Sequence, residues 1–161
     1  MLKKIIFLLV LFFLLVNYAN EYDLLYLGSG INNVRRKKHS RSTEFRIEYK
    51  FHNKWWFFHP LIGSSLTTKQ QLYMYSGISL DLILKNHIAF VPNFAIGYYN
   101  KGNGKDLGYP LEFRTGIELS FIFKNKMRLG THISHTSNAS IGRKNPGLET
   151  LYFFIAIPIK Y

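Results

Sequence analysis

The sequence predicts an all-β chain, an eight-stranded antiparallel up-and-down β-barrel of the bacterial outer membrane. Three observations predict it. A basic and then apolar leader opens the chain. Long alternating strands follow, joined by connections that are short on one side and long on the other. The last strand alternates and ends on an aromatic, Tyr161. The length, 161 residues, suits one domain.

The leader comes first. MLKK is a basic n-region, IIFLLVLFFLLV (5–16) an unbroken apolar run, and NYAN follows with Ala19 at a cleavage position. This layout is that of a secretory signal peptide. The run spans about 18 Å as a helix, short of a ~30 Å hydrocarbon core. The expected organisation is a cleaved signal peptide at 1–19 and a barrel at 20–161. A retained N-terminal anchor is the alternative, and Asn17 is a poor −3 residue.

The chain has no cysteine, so neither a disulfide framework nor thiolate chemistry is available. Its formal charge is +12. A basic balance suggests an anionic partner, and the export signal favours a phosphate-bearing membrane surface over nucleic acid.

The strands are read at 22–33, 42–51, 54–66, 71–84, 87–100, 109–123, 126–138 and 148–161. Short connections fall at 52–53, 85–86 and 124–125. Longer ones fall at 34–41, 67–70, 101–108 and 139–147. That asymmetry is the mark of an outer-membrane barrel. In 42–51, Phe45, Ile47, Tyr49 and Phe51 alternate with Glu44, Arg46, Glu48 and Lys50. In 109–123, Leu111, Phe113, Ile117, Leu119 and Phe121 alternate with Glu112, Arg114 and Glu118. Alternation alone does not separate a soluble barrel from a membrane one. Strand length, leader and terminal aromatic do. In lipid the apolar face points out. Glu44, Glu48, Asp81, Glu112 and Glu118 then share the lumen with Arg46, Lys50, Arg114 and Arg128. Near balance lets buried charges pair in a plugged, non-conducting lumen. His59 and His87, with His132 beside them, are also read as lumenal. Trp55, Trp56, Tyr98, Tyr99 and Tyr161 suit interfacial girdles.

In strand 126–138, Met127, Leu129 and Ile133 fix the odd positions as the lipid face. His135 and Ser137 therefore lie on the outer wall. In the next strand Leu151, Phe153 and Ile155 share their face with Glu149, the one acid placed on that wall. The two strands are hairpin partners, so the three polar groups converge at their upper ends. One reading is interfacial: near the headgroups polar residues are cheap, and these three simply end the apolar band. The other is chemical. A Ser hydroxyl needs a base to become a nucleophile, and an imidazole needs a partner to fix its tautomer. Alternate residues on one strand face are about 6.5–7 Å apart at Cα, which puts His135 within reach of Ser137.

HTSNASIGRKNPGLE (135–149) resembles the active-site segment of the lipid A 3-O-deacylases, the PagL-type enzymes of Gram-negative outer membranes. The matching residues are His135, Ser137, Asn138, Ala139, Asn145, Gly147 and Glu149. Ser140 departs from the pattern, where Gly is expected. The resemblance implies hydrolysis of the 3-O-linked acyl ester of lipid A. Ser137 would be the nucleophile, His135 the general base and Glu149 its orienting acid. Asn145 and Asn138, or a backbone amide of the 139–142 loop, would hold the oxyanion. It implies no cofactor and no metal. The partner would be lipopolysaccharide in the outer leaflet, with a homodimer left open as the assembly. Arg35, Arg36, Lys37, Lys38, Arg41, Lys69, Lys101, Lys105, Arg143 and Lys144 lie on the long-loop side, where lipid A phosphates would be met. Two other functions stay open: a non-enzymatic structural or adhesin barrel, and an outer-membrane acyltransferase. The latter needs inward-facing catalytic groups, against the parity.

Overall fold

The computed structural model describes residues 22–35 and 40–159. The leader, residues 36–39 and Tyr161 lie outside them. Nine strand segments follow in order: β1 (Asp23–Asn32), β2 (Ser42–Lys50), β3 (His59–Thr67), β4 (Leu72–Ser79), β5 (Leu82–Leu84), β6 (Ile88–Asn100), β7 (Leu111–Ile122), β8 (Arg128–Ser137) and β9 (Leu148–Ile159). Every pairing is antiparallel, and neighbours in sequence are neighbours in space. β1 pairs with β9, and β4 with β6, so the sheet closes.

β4 and β5 together form one stave, the predicted strand 71–84, and the barrel therefore has eight staves. The ladder lapses between them opposite Pro92 of β6. A proline has no N–H to give. Leu80 N–H still donates to Pro92 O at 3.0 Å, so the register carries across the gap.

The third strand starts later than the sequence indicated. It was expected at residue 54, but residues 51–58 form a turn in which Trp55 and Phe58 exchange backbone hydrogen bonds. The run WWFF is apolar at both parities, so it carries no strand signal of its own. Residues 33–35, 40–41, 68–71, 101–110 and 138–147 share one rim. The turns share the other with the start of β1 and the end of β9.

All nine charged residues assigned to the lumen are buried. Lys50 Nζ lies 3.0 Å from Asp81, and Arg128 lies 2.8 Å from the same carboxylate. Arg114 pairs with Glu48 at 3.0 Å, and Arg46 donates through Nε to Glu44 at 2.9 Å. The Arg46 and Arg114 guanidinium groups also stack on the Tyr152 and Tyr75 rings. Buried charge is costly unless paired in this way. The outer wall is apolar, with Phe45, Ile47, Leu119, Leu129, Ile133 and Phe153 exposed. That inversion suits lipid outside and polar side chains within.

Two placements differ from the sequence reading. His87 does not face the lumen: it is exposed at the turn after β5, its ring against Phe121. Tyr99 is no girdle residue but buried in the lumen, its hydroxyl donating to Lys105 O at 2.7 Å. Only its neighbour Tyr98 faces out, because successive strand residues point to opposite faces.

Candidate active site

The β8–β9 hairpin sets His135 directly opposite Glu149. Their side chains meet on the outer wall, Nδ1 to Oε1 at 3.3 Å. The carboxylate is the more sheltered of the two, 18% exposed against 49% for the imidazole. Ser137 stands one outward position above His135, half-buried at the end of β8. Among the described residues no hydrogen bond joins its hydroxyl to the imidazole. Catalytic hydrogen bonds are often open without substrate, so the shared face is the informative feature.

The loop after Ser137 turns at once. Asn138 O accepts from Ile141 N–H at 3.0 Å, and the two central residues, Ala139 and Ser140, have φ of 51° and 65°. Left-handed backbone in consecutive non-glycine residues is strained, of order 1–2 kcal/mol each. This explains why glycine would suit position 140.

Asn138 does not fit the role of side-chain oxyanion donor. It is fully buried, and its amide donates to Leu107 O at 2.7 Å and Lys144 O at 2.9 Å. It braces the loop instead. Its own backbone N–H donates to Asn145 Oδ1 at 3.1 Å, which leaves the exposed Asn145 amide one long contact, to Ser140 Oγ at 3.4 Å. Asn145 is thus held beside the turn with donor capacity to spare.

A second loop, 101–110, supports the first. Lys105 Nζ donates to the carbonyls of Pro146 and Gly147. Asp106 accepts from Gly108 N–H at 2.9 Å and contacts Lys144 at 3.1 Å and Lys101 at 3.4 Å. The Gly108 amide first, and then Lys144, hold the Asp106 carboxyl below its usual range. Nothing in the sequence ties Lys105 or Asp106 to His135; both read as members of a cationic, solvated loop.

Below His135 the outer wall carries an open groove of about 630 Å³. Thr115, Ile117, Leu119, Thr131 and Ile133 of β7 and β8 line it, and His135, Glu149 and Arg35 stand at its upper end. Thr115 and Thr131 are short side chains among bulky ones, and they leave the hollow. Thr115 pairs directly with His135, so the hollow begins at the imidazole. Both threonines have outward parity in the sequence, where their small size was the available signal. The groove is mostly apolar and open along the outer wall, a character suited to an alkyl chain.

A family model described as lipid A 3-O-deacylase (PagL) matches residues 17–158. The chain belongs to that family. Among solved structures it is similar to the crystal structure of the outer membrane enzyme PagL, with 17% identity, a TM-score of 0.67, and 84% of this chain and 99% of that one covered. De novo designed transmembrane β-barrels match with 9% identity and a TM-score of 0.60 over 88% and 98% of the two chains. The Yersinia pestis outer membrane protein Ail matches with 9% identity and a TM-score of 0.53 over 86% and 100%. At these identities the structural likenesses establish the barrel fold alone. No curated protein sequence matches the chain. Family and barrel together make this an outer-membrane protein.

Proposed function

We propose that the protein hydrolyses the 3-O-linked acyl ester of lipid A with Ser137, His135 and Glu149 as one catalytic unit on the lipid-facing wall. The observation that carries this reading is the His135–Glu149 pair standing at the head of an apolar wall groove, in a chain of this family. The acyl chain lies in the groove and its ester reaches the rim from the side, without leaving the leaflet.

His135 Nδ1–H donates to Glu149, which fixes the tautomer and leaves Nε2 free to act as base. Rotation of the Ser137 side chain brings Oγ to Nε2. The hydroxyl proton passes to Nε2 as Oγ attacks the ester carbonyl. Glu149 offsets the imidazolium charge. The spare amide hydrogens of Asn145, with the Ala139 and Ser140 backbone amides at the strained turn, are the candidate donors to the oxyanion. Collapse expels the sugar 3-oxygen, which takes the proton back from Nε2. Water, deprotonated by His135, then cleaves the acyl-serine and releases a fatty acid. Residues 1–19 serve as the leader that exports the chain.

Mass spectrometry of lipid A incubated with the refolded barrel tests the reading. Loss of one 3-hydroxyacyl chain is expected from the parent and not from Ser137→Ala. Unaltered lipid A with a folded parent would overturn it and favour a non-enzymatic barrel.

A further inference from the structure

Arg35 lies where the end of β1 meets the top of β9. Val34 N–H donates to Glu149 O at 3.1 Å, so the backbone beside Arg35 is tied to the strand that carries the acid. The Arg35 side chain is 78% exposed, yet its NH1 lies 3.5 Å from Glu149 Oε1. That is the same oxygen that meets His135 Nδ1 at 3.3 Å. Arg35 also lines the groove at its upper end. A guanidinium with most of its donors facing solvent thus stands at headgroup level and shares the carboxylate oxygen that the imidazole uses.

Resting on the hydrolase reading above, we propose that Arg35 is a specificity-determining residue: it binds a phosphate of the substrate headgroup, and in doing so releases Glu149 Oε1 to His135. A guanidinium binds phosphate through parallel charge-assisted hydrogen bonds that an exposed single contact to a carboxylate does not match. With an acyl chain in the groove, the sugar and its phosphates lie above His135, on the side where Arg35 stands. Drawing Arg35 to the phosphate removes a competitor for Oε1 at the moment the imidazole must take a proton. An anionic headgroup therefore improves both binding and turnover.

The test compares lipid A with its enzymatically dephosphorylated form, in mixed micelles, for the parent, Arg35→Gln and Arg35→Lys. The parent is expected to prefer the phosphorylated form by about tenfold or more in kcat/KM, with KM lower and kcat higher than on the dephosphorylated form. Arg35→Gln is expected to lose most of that preference, and Arg35→Lys to regain part of it. Equal loss on both forms in Arg35→Gln, or a parent without preference, would overturn the proposal. Binding of both lipids to Ser137→Ala, with and without Arg35→Gln, gives a readout independent of turnover. Phosphate-dependent binding that is lost with Arg35 supports the proposal even if the parent hydrolyses neither lipid, a result that would instead remove the hydrolase reading.

Discussion

The His135 ring fills the space that a side chain on Gly147 would need. A Cβ built on Gly147 would lie 2.6 Å from Cε1 and 3.3 Å from Nε2, the nitrogen turned away from Glu149. Its φ of 61° is a second barrier to any side chain. The imidazole thus has a carboxylate at Nδ1 and the Gly147 backbone beside its Cε1 edge.

Gly147→Ala is therefore expected to tilt the ring off Glu149 while the barrel still folds. A misplacement of about 1 Å can cost on the order of a hundredfold in rate. Ester hydrolysis by the refolded variant, with far-UV circular dichroism as the folding control, measures it. Parent-like activity would mean that Gly147 does not position the base.

The lumen makes a prediction about stability rather than rate. Asp81 pairs with both Lys50 and Arg128, and all three side chains are nearly inaccessible to solvent. Asp81→Asn leaves two buried cations sharing Glu118, at 3.6 Å from each. Breaking a buried pair in this way costs about 3–5 kcal/mol. Urea unfolding of the barrel in liposomes should show a loss of that order, and a loss under 1 kcal/mol would mean that water or rearrangement supplies the missing charge.

Ser140→Gly runs the other way. It removes one left-handed non-glycine residue from the turn after Asn138. A gain of up to about 1 kcal/mol is expected after the added chain entropy of glycine is offset. The same unfolding experiment reads it, and a destabilised variant would show that the hydroxyl contact with Asn145 outweighs the strain.

Asp106 sets a pH limit on the loop brace. Its folded carboxyl is held below its unfolded range, by Gly108 N–H and then by Lys144. The brace is therefore fully present above the unfolded value and is lost as pH falls through the lower, folded one. Protection of the 138–147 amides from exchange, relative to the free-chain rate at each pH, should be high at neutral pH and fall as the carboxyl protonates below its usual range, whereas Asp106→Asn should show low protection at neutral pH already. Identical exchange in both proteins would leave Lys105 as the main brace.

The barrel was legible because its alternation is strict where it matters. Glu44, Arg46 and Glu48 point one way and Phe45 and Ile47 the other, and the period survives without any partner in view. It failed at WWFF, where both parities are apolar, and at Pro92, whose missing N–H interrupts a neighbouring strand that shows no signal of its own. Within the site, parity placed His135, Ser137 and Glu149 on one wall. Parity also puts Asn138 on the inward face, but it could not show that the amide binds Leu107 and Lys144, because those carbonyls come from loops whose approach has no period. Lys105 and Arg35 were hidden for the same reason, since one cation of a basic loop reads like the next.

The central claim is that Ser137, His135 and Glu149 act as one unit on the lipid-facing wall. Treating the refolded barrel with a fluorophosphonate and locating the adduct by peptide mass spectrometry tests it most directly. The account expects a single adduct on Ser137, formed at least a hundredfold more slowly in His135→Ala and Glu149→Gln, given the 10²–10⁴-fold that a positioned base typically contributes. An adduct elsewhere, or labelling of Ser137 at the parent rate in both variants, would contradict it.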